Sequence, residues 1–380
     1  MSIQLFKPKY RTKEILKEIE ECFNIGWTGL GYKTEIFEKK WKDYTGFENA
    51  HFVSSNTAGL HIAIKVLKDV NKWSDDDEVI TTPITFVSSN HAILYNNLKP
   101  VFADIDSHLC LDPMSVEKRI TKKTKAVLFV GIGGNVGNYQ KIKDICKKND
   151  LKLILDAAHM AGTRVMHQNK LEHAGLDSDV AVFSFQSVKN LPTADGGMIC
   201  FANEDYDSLV RKLSWLGINK DTFNRTNSKG NYKWEYDVID TGFKAHGNSI
   251  MASIGIVSLK YLEEDNLRRR EISKMYDEGF ADKENIEIVR HSNECISSRH
   301  LYQIRVHNRD YVMDFLNANN IFPGVHYKDN TQYRMYSYAK GSCPTAAKAS
   351  EELISLPLHM FMSDEDVEKI ISMVIKAVSV

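Results

Sequence analysis

Cysteine is scarce in this chain of 380 residues: there are six, scattered, with no Cys-x-x-Cys pair. That excludes a disulfide framework and a zinc ribbon, and fits reduced thiols in a cytosol. An excess of one charge is also missing, since 49 Lys and Arg face 50 Asp and Glu. Nucleic acid is therefore not an expected partner. No apolar run reaches the roughly 20 residues of a membrane span, and Met1 leads through Phe6-Lys-Pro8 into an amphipathic pattern rather than a signal peptide. The expectation is a cytoplasmic protein with no membrane partner. No Pro- or Gly-rich linker, internal repeat or low-complexity run divides the chain, and its length allows one large core and a smaller one.

What is present is a series of short apolar runs alternating with amphipathic segments. Alternation of this kind through the first two-thirds predicts an α/β fold, a mostly parallel sheet with helices on both faces. Two runs end in chemistry. Leu151-Lys-Leu-Ile-Leu-Asp-Ala-Ala-His159 ends at an acid, Asp156, and Ala181 to Phe185 leads into Gln-Ser-Val-Lys189. The carboxyl edge of such a sheet is where ligands bind. A lysine there is partly desolvated, which lowers its pKa and suits it to form a Schiff base. Taken alone, a strand-end lysine is more often a solvated surface charge. Asp156 lies about one βαβ unit upstream, so both side chains can reach one crevice. An acid to keep a pyridine nitrogen protonated and an amine to hold an aldehyde are what pyridoxal 5'-phosphate (PLP) requires.

With the motifs set in order, the chain resembles the DegT/DnrJ/EryC/StrS sugar aminotransferases of PLP fold type I. Asp156-Ala-Ala-His159, Ser184-Phe-Gln-Ser-Val-Lys189 and Asp195-Gly-Gly197 follow that family's Asp-Ala-Ala-Gln/His, Ser-Phe-x-x-x-Lys and Glu-Gly-Gly. The resemblance implies a large PLP-binding domain over 1–248, then a bridging helix from about Ser249 to Ala281 and a smaller α+β domain over 249–380. It gives Lys189 and Asp156 the catalytic roles. His159 would bond near the cofactor's phenolic oxygen, Phe86 would stack on the ring, and Ser184, Gln186, Ser55, Asn56 and Thr57 would complete its contacts.

Several of these residues also have a plainer reading. Ser55-Asn-Thr57 opens a helix and suits either a phosphate or an ordinary cap. Asn56 replaces the family's usual glycine, and asparagine tolerates a left-handed backbone. Phe86 suits either stacking or the core. Trp27-Thr28, where relatives carry Trp-x-x-x-Gly-Pro near the substrate entrance, suits either that role or a loop with one packed tryptophan. Lys244, in Gly242-Phe-Lys-Ala-His-Gly-Asn-Ser249, is by resemblance the residue reaching the phosphate of a neighbouring subunit, or else a loop lysine in water. His326 and Tyr327 match substrate-side positions, or are satisfied partly buried groups. Gly131-Ile-Gly-Gly134 stands where many relatives have His-x-Tyr-Gly, which removes bulk from the pocket rim.

The resemblance implies an aminotransferase acting as a homodimer with shared sites and cycling PLP through pyridoxamine phosphate. Glutamate would be the donor. A keto sugar nucleotide destined for surface polysaccharide (capsule or lipopolysaccharide) or a glycosylated metabolite would be the acceptor. A small phosphorylated ketose or cyclitol ketone is the alternative acceptor. A PLP-binding regulatory protein without turnover is the rival class, and would be marked by loss of the lysine or acid or by a DNA-binding segment. The presence of Lys189 argues against the family's dehydratase branch, where histidine replaces it. No metal is expected.

Overall fold

The computed structural model describes residues 2–167, 170–219 and 236–379. The polar stretch from Asn219 to Trp234, expected to be a long exposed loop, falls outside the described residues beyond Asn219. In chain order the first strands are β1 (Asn49–Val53), β2 (Glu78–Thr81), β3 (Lys99–Phe102), β4 (Thr124–Val130), β5 (Lys152–Asp156), β6 (Arg164–His167), β7 (Lys170–His173), β8 (Val180–Ser184) and β9 (Gly197–Phe201). Seven of them form one sheet in the order β1-β9-β8-β5-β4-β2-β3. Pairing is parallel from β3 through β8 and antiparallel for β8–β9 and β9–β1.

The apolar runs are continuous because both faces of this sheet are covered. Side chains alternate along a strand, so Val127, Phe129, Leu153, Leu155, Ala181 and Phe183 enter one core. Their neighbours Ala126, Leu128, Ile154, Val180 and Val182 enter the core on the opposite face. Helix α1 (Thr12–Ile25) stops at Gly26, which adopts the left-handed φ of 73°. Helices α2 (Tyr32–Thr45), α3 (Asn56–Val70) and α4 (Val87–Leu94) follow, and the last two bring their N-termini to the carboxyl edge of the sheet.

The single long helix expected from Ser249 is two, Ser249–Lys260 and Leu262–Phe280. The break falls at Tyr261, whose φ of −109° leaves the helical range. Further strands β10 (Glu287–Ile288), β11 (Cys295–Ile296), β12 (Tyr302–Arg305) and β13 (Leu353–Leu356) build two small antiparallel sheets, β10-β12-β13 and β11-β6-β7. A third core unites Tyr276, Ile304, Ile354 and Ile370 with Ile3 from the start of the chain. The final helix, Asp364–Val378, opens on a capping box between Ser363 and Asp366.

Candidate active site

The acid is fixed from three directions. Asp156 closes β5 and is 3% exposed. Its Oδ1 accepts from the Ala158 amide at 3.1 Å and from Asn56 Nδ2 at 3.3 Å, and its Oδ2 accepts from Ser89 Oγ at 2.7 Å. Burial raises its pKa, while the Ser89 and Ala158 hydrogen bonds and the charge of Lys189 act the other way.

Lys189 hangs from a closed loop. After β8 the Phe185 amide donates to Gly196 O and the Thr193 amide donates to Phe185 O, so the chain returns to start β9. Within that loop the Lys189 amide donates to Gln186 O. The side chain is half-buried and its amine faces a cavity of about 540 Å³ that Asp156 also lines. Burial lowers the amine's pKa to about 8, and the charge of Asp156 opposes that. About a tenth of the amine is therefore free at pH 7, far more than for an ordinary lysine, as a nucleophile needs.

The same cavity is lined by Ser55, Asn56 and Thr57, by Phe86, and by Ser184 and Gln186. Ser55 caps α3 by accepting from the Ala58 amide at 3.1 Å, and the first turn of α3 presents backbone N–H groups suited to an anion. Gly197 lets β9 approach this turn: a Cβ there would lie 2.7 Å from the Asn56 nitrogen and 2.8 Å from Phe183 O. Phe86 precedes α4 and is 59% exposed, an open ring face on the cavity wall. An acid, an amine, an open aromatic face and a helix N-terminus around one 540 Å³ space fit PLP's ring nitrogen, aldehyde, ring and phosphate.

Asn56 differs from its expected part. It is the first residue of α3, needs no left-handed backbone, and turns its amide to Asp156 and to Val182 O at 2.9 Å. The Gly131–Gly134 segment also departs from expectation. The Gly133 amide donates to His159 Nδ1 at 3.0 Å, Met160 packs against Gly131, and none of residues 131–134 lines the cavity. Burial, with Lys189 nearby, pushes the His159 pKa well down. The neutral ring therefore carries its proton on Nε2, 3.3 Å from the Tyr327 hydroxyl. His326 joins them on the cavity wall, its pKa lowered to about 4 by burial.

Three expected residues lie elsewhere in this single chain. Trp27 donates from Nε1 to Leu30 O, the Thr28 carbonyl accepts from the Ser249 amide, and Lys244 sits 3.6 Å from the centre of the Trp215 ring. None of the three lines the cavity. Conversely, Ser89, His300 and Phe6 line it without having been singled out. His300 is held by Asn190, whose Oδ1 lies 2.9 Å from Nδ1. Its sequence signal was its place in the Arg299-His-Leu-Tyr-Gln-Ile-Arg-Val306 segment, which resembles the family's His-Leu-Tyr-Pro-x-Arg-Val.

This fold and this cavity define a PLP-dependent aminotransferase of fold type I. The model of the DegT/DnrJ/EryC1/StrS aminotransferase family matches residues 9–375, and the chain belongs to that family. It is 32% identical to the spore coat polysaccharide biosynthesis protein SpsC of Bacillus subtilis, over 95% of this chain and 94% of that one. Among solved structures, the aminotransferase TlmJ of Streptoalloteichus hindustanus matches with a TM-score of 0.90 and 30% identity, covering 100% of this chain and 99% of that one. PseC of Helicobacter pylori, an aminotransferase involved in the biosynthesis of pseudoaminic acid, matches with a TM-score of 0.89 and 26% identity over the whole of both chains.

Proposed function

We propose that this protein aminates the ketone of a keto sugar nucleotide, with glutamate as amino donor, in the making of a surface polysaccharide or glycoconjugate. The observation that carries the chemistry is that Asp156, at the end of β5, and Lys189, in the loop after the adjacent parallel strand β8, line one cavity with Phe86 and the first turn of α3. The sugar and polysaccharide part is supported by likeness to SpsC and PseC.

PLP supplies an electron-accepting ring that makes a substrate C–H bond acidic. Asp156 holds a proton at the ring nitrogen and keeps the ring acceptor-like. Lys189 would hold the aldehyde and supply the amine that carries the substrate proton. Phe86 and the first turn of α3 orient ring and phosphate, and the neutral His159 donates from Nε2 toward the cavity. In a homodimer, Lys244 and the Trp27–Thr28 loop serve the partner's site.

The test is a screen of the PLP-loaded protein with glutamate against keto sugar nucleotides and against small keto phosphates. Release of 2-oxoglutarate with the nucleotides is expected. Turnover of only a small phosphorylated ketone would replace this substrate assignment, and unchanged transamination in Lys189→Ala would remove the mechanism.

A further inference from the structure

We propose that Asn56 and Ser89 are positioning residues that fix the Asp156 carboxylate so that its remaining lone pair faces the ring nitrogen of the cofactor. This rests on the reading above, in which Asp156 meets that nitrogen.

The hydrogen-bond polarities leave no choice of direction. An ionised carboxylate only accepts, so Ser89 donates to Oδ2 and its own oxygen is left to accept from Thr85 Oγ1, 2.8 Å away. The result is a directed chain, Thr85 to Ser89 to Asp156, at the start of α4, the helix that Phe86 precedes. Asn56 is equally constrained. Its two contacts, Asp156 Oδ1 and Val182 O, are both acceptors, so its amide nitrogen must point at them. Val182 belongs to β8, the strand that leads to Lys189. The Asn56 amide therefore clips the acid's strand to the lysine's strand at the edge where both side chains emerge.

With Ala158 on Oδ1, three donors from three elements surround one buried carboxylate. Two bonds to Oδ1 and one to Oδ2 lock the torsion and leave open acceptor capacity on Oδ2 toward the cavity. Donors of this kind favour the charged form against burial. The family pattern has glycine where this chain has Asn56, so one of the three donors is a feature of this sequence. Ser89 would pass for an ordinary polar residue in the first turn of a helix.

The test uses Asn56→Gly, Ser89→Ala and the conservative Ser89→Thr. Glycine and alanine fit the first turn of a helix, and Ser89→Thr keeps the hydroxyl should either fold poorly. In the cofactor-free protein, NMR titration of the Asp156 carboxyl carbon should show its pKa raised in Asn56→Gly and Ser89→Ala and restored in Ser89→Thr. With PLP added, the first two variants should bind it about tenfold more weakly, the scale of one hydrogen bond to a charged group. The pH titration of the bound cofactor's absorbance should be displaced, and kcat should fall with KM for the acceptor unchanged. An Asp156 titration and PLP affinity identical to the parent in both variants would overturn the proposal. Failure of the parent protein to bind PLP would instead overturn the functional reading, while the carboxyl titration still judges the clamp.

Discussion

The sulfur of Met160 lies 2.0 Å from the point where a Cβ on Gly131 would sit. The two positions thus share one volume: the space that a side chain at 131 would fill is taken by the residue that follows His159. A side chain at 131 and Met160 in this pose exclude each other, so Gly131 and Met160 form a matched pair. Gly131→Ala should destabilise the protein by about 1–3 kcal/mol, as overpacking does. Gly131→Ala combined with Met160→Ala should lose less than the sum of the two single changes. Urea unfolding of the four proteins measures that coupling, and additive losses would break the pairing.

Lys189 gives a pH dependence with a fixed sign. Its amine titrates near 8 in the folded chain against the ordinary 10.5, because burial disfavours the charge. Between those values the unfolded chain holds more protons, so stability of the cofactor-free protein should rise with pH across this window. Lys189→Met should flatten the rise. Urea midpoints measured from pH 8 to 10.5 in both proteins check it, and parallel curves would refute the burial of the amine.

Glu38 answers to its partners rather than to its burial. Burial pushes its carboxyl up, but the Arg211 charge and the His51 hydrogen bond bring it to about 2. Its contribution is therefore present above pH 4.5 and lost as pH falls from 4.5 toward 2. Arg211→Met should cost about 2 kcal/mol, less than breaking a fully buried pair because the Arg211 side chain is 41% exposed. Chemical denaturation at pH 7 and pH 3 should show the loss shrinking at the lower value.

Phe86 separates cofactor binding from folding. Its ring is 59% exposed on the cavity wall, so Phe86→Ala should leave the unfolding free energy within about 0.5 kcal/mol of the parent. PLP affinity should fall about fivefold from the lost stacking. Fluorescence titration of PLP against both proteins decides it, and a large stability loss with unchanged affinity would make Phe86 a core residue.

The central strands were legible because burial on both faces leaves no polar residue to blur their runs, as Leu128-Phe-Val130 and Leu153-Ile-Leu155 illustrate. Asp156 and Lys189 were legible because each ends such a run. The antiparallel pair β6–β7 was not, since Met166 and Leu171 are exposed and the strands carry no alternation with a buried face. The break at Tyr261 has neither glycine nor proline to announce it. Ser55 and Ser89 look alike in the sequence, yet one caps a helix and the other holds a carboxylate. Which it does depends on β5 arriving from some 70 residues away, a tertiary fact that local propensity does not carry. Trp27, Thr28 and Lys244 carried motif signals for a site that one chain alone does not bring them to.

At Gly197 the decisive feature is a hydrogen atom where every other amino acid has carbon. Any replacement would wedge β9 away from the opening turn of α3 while leaving the lysine, the acid and the aromatic face untouched. Such a protein would keep Asp156, Lys189 and Phe86 and still hold its cofactor badly. An inventory of reactive groups would pass it as intact, because what it lost was room.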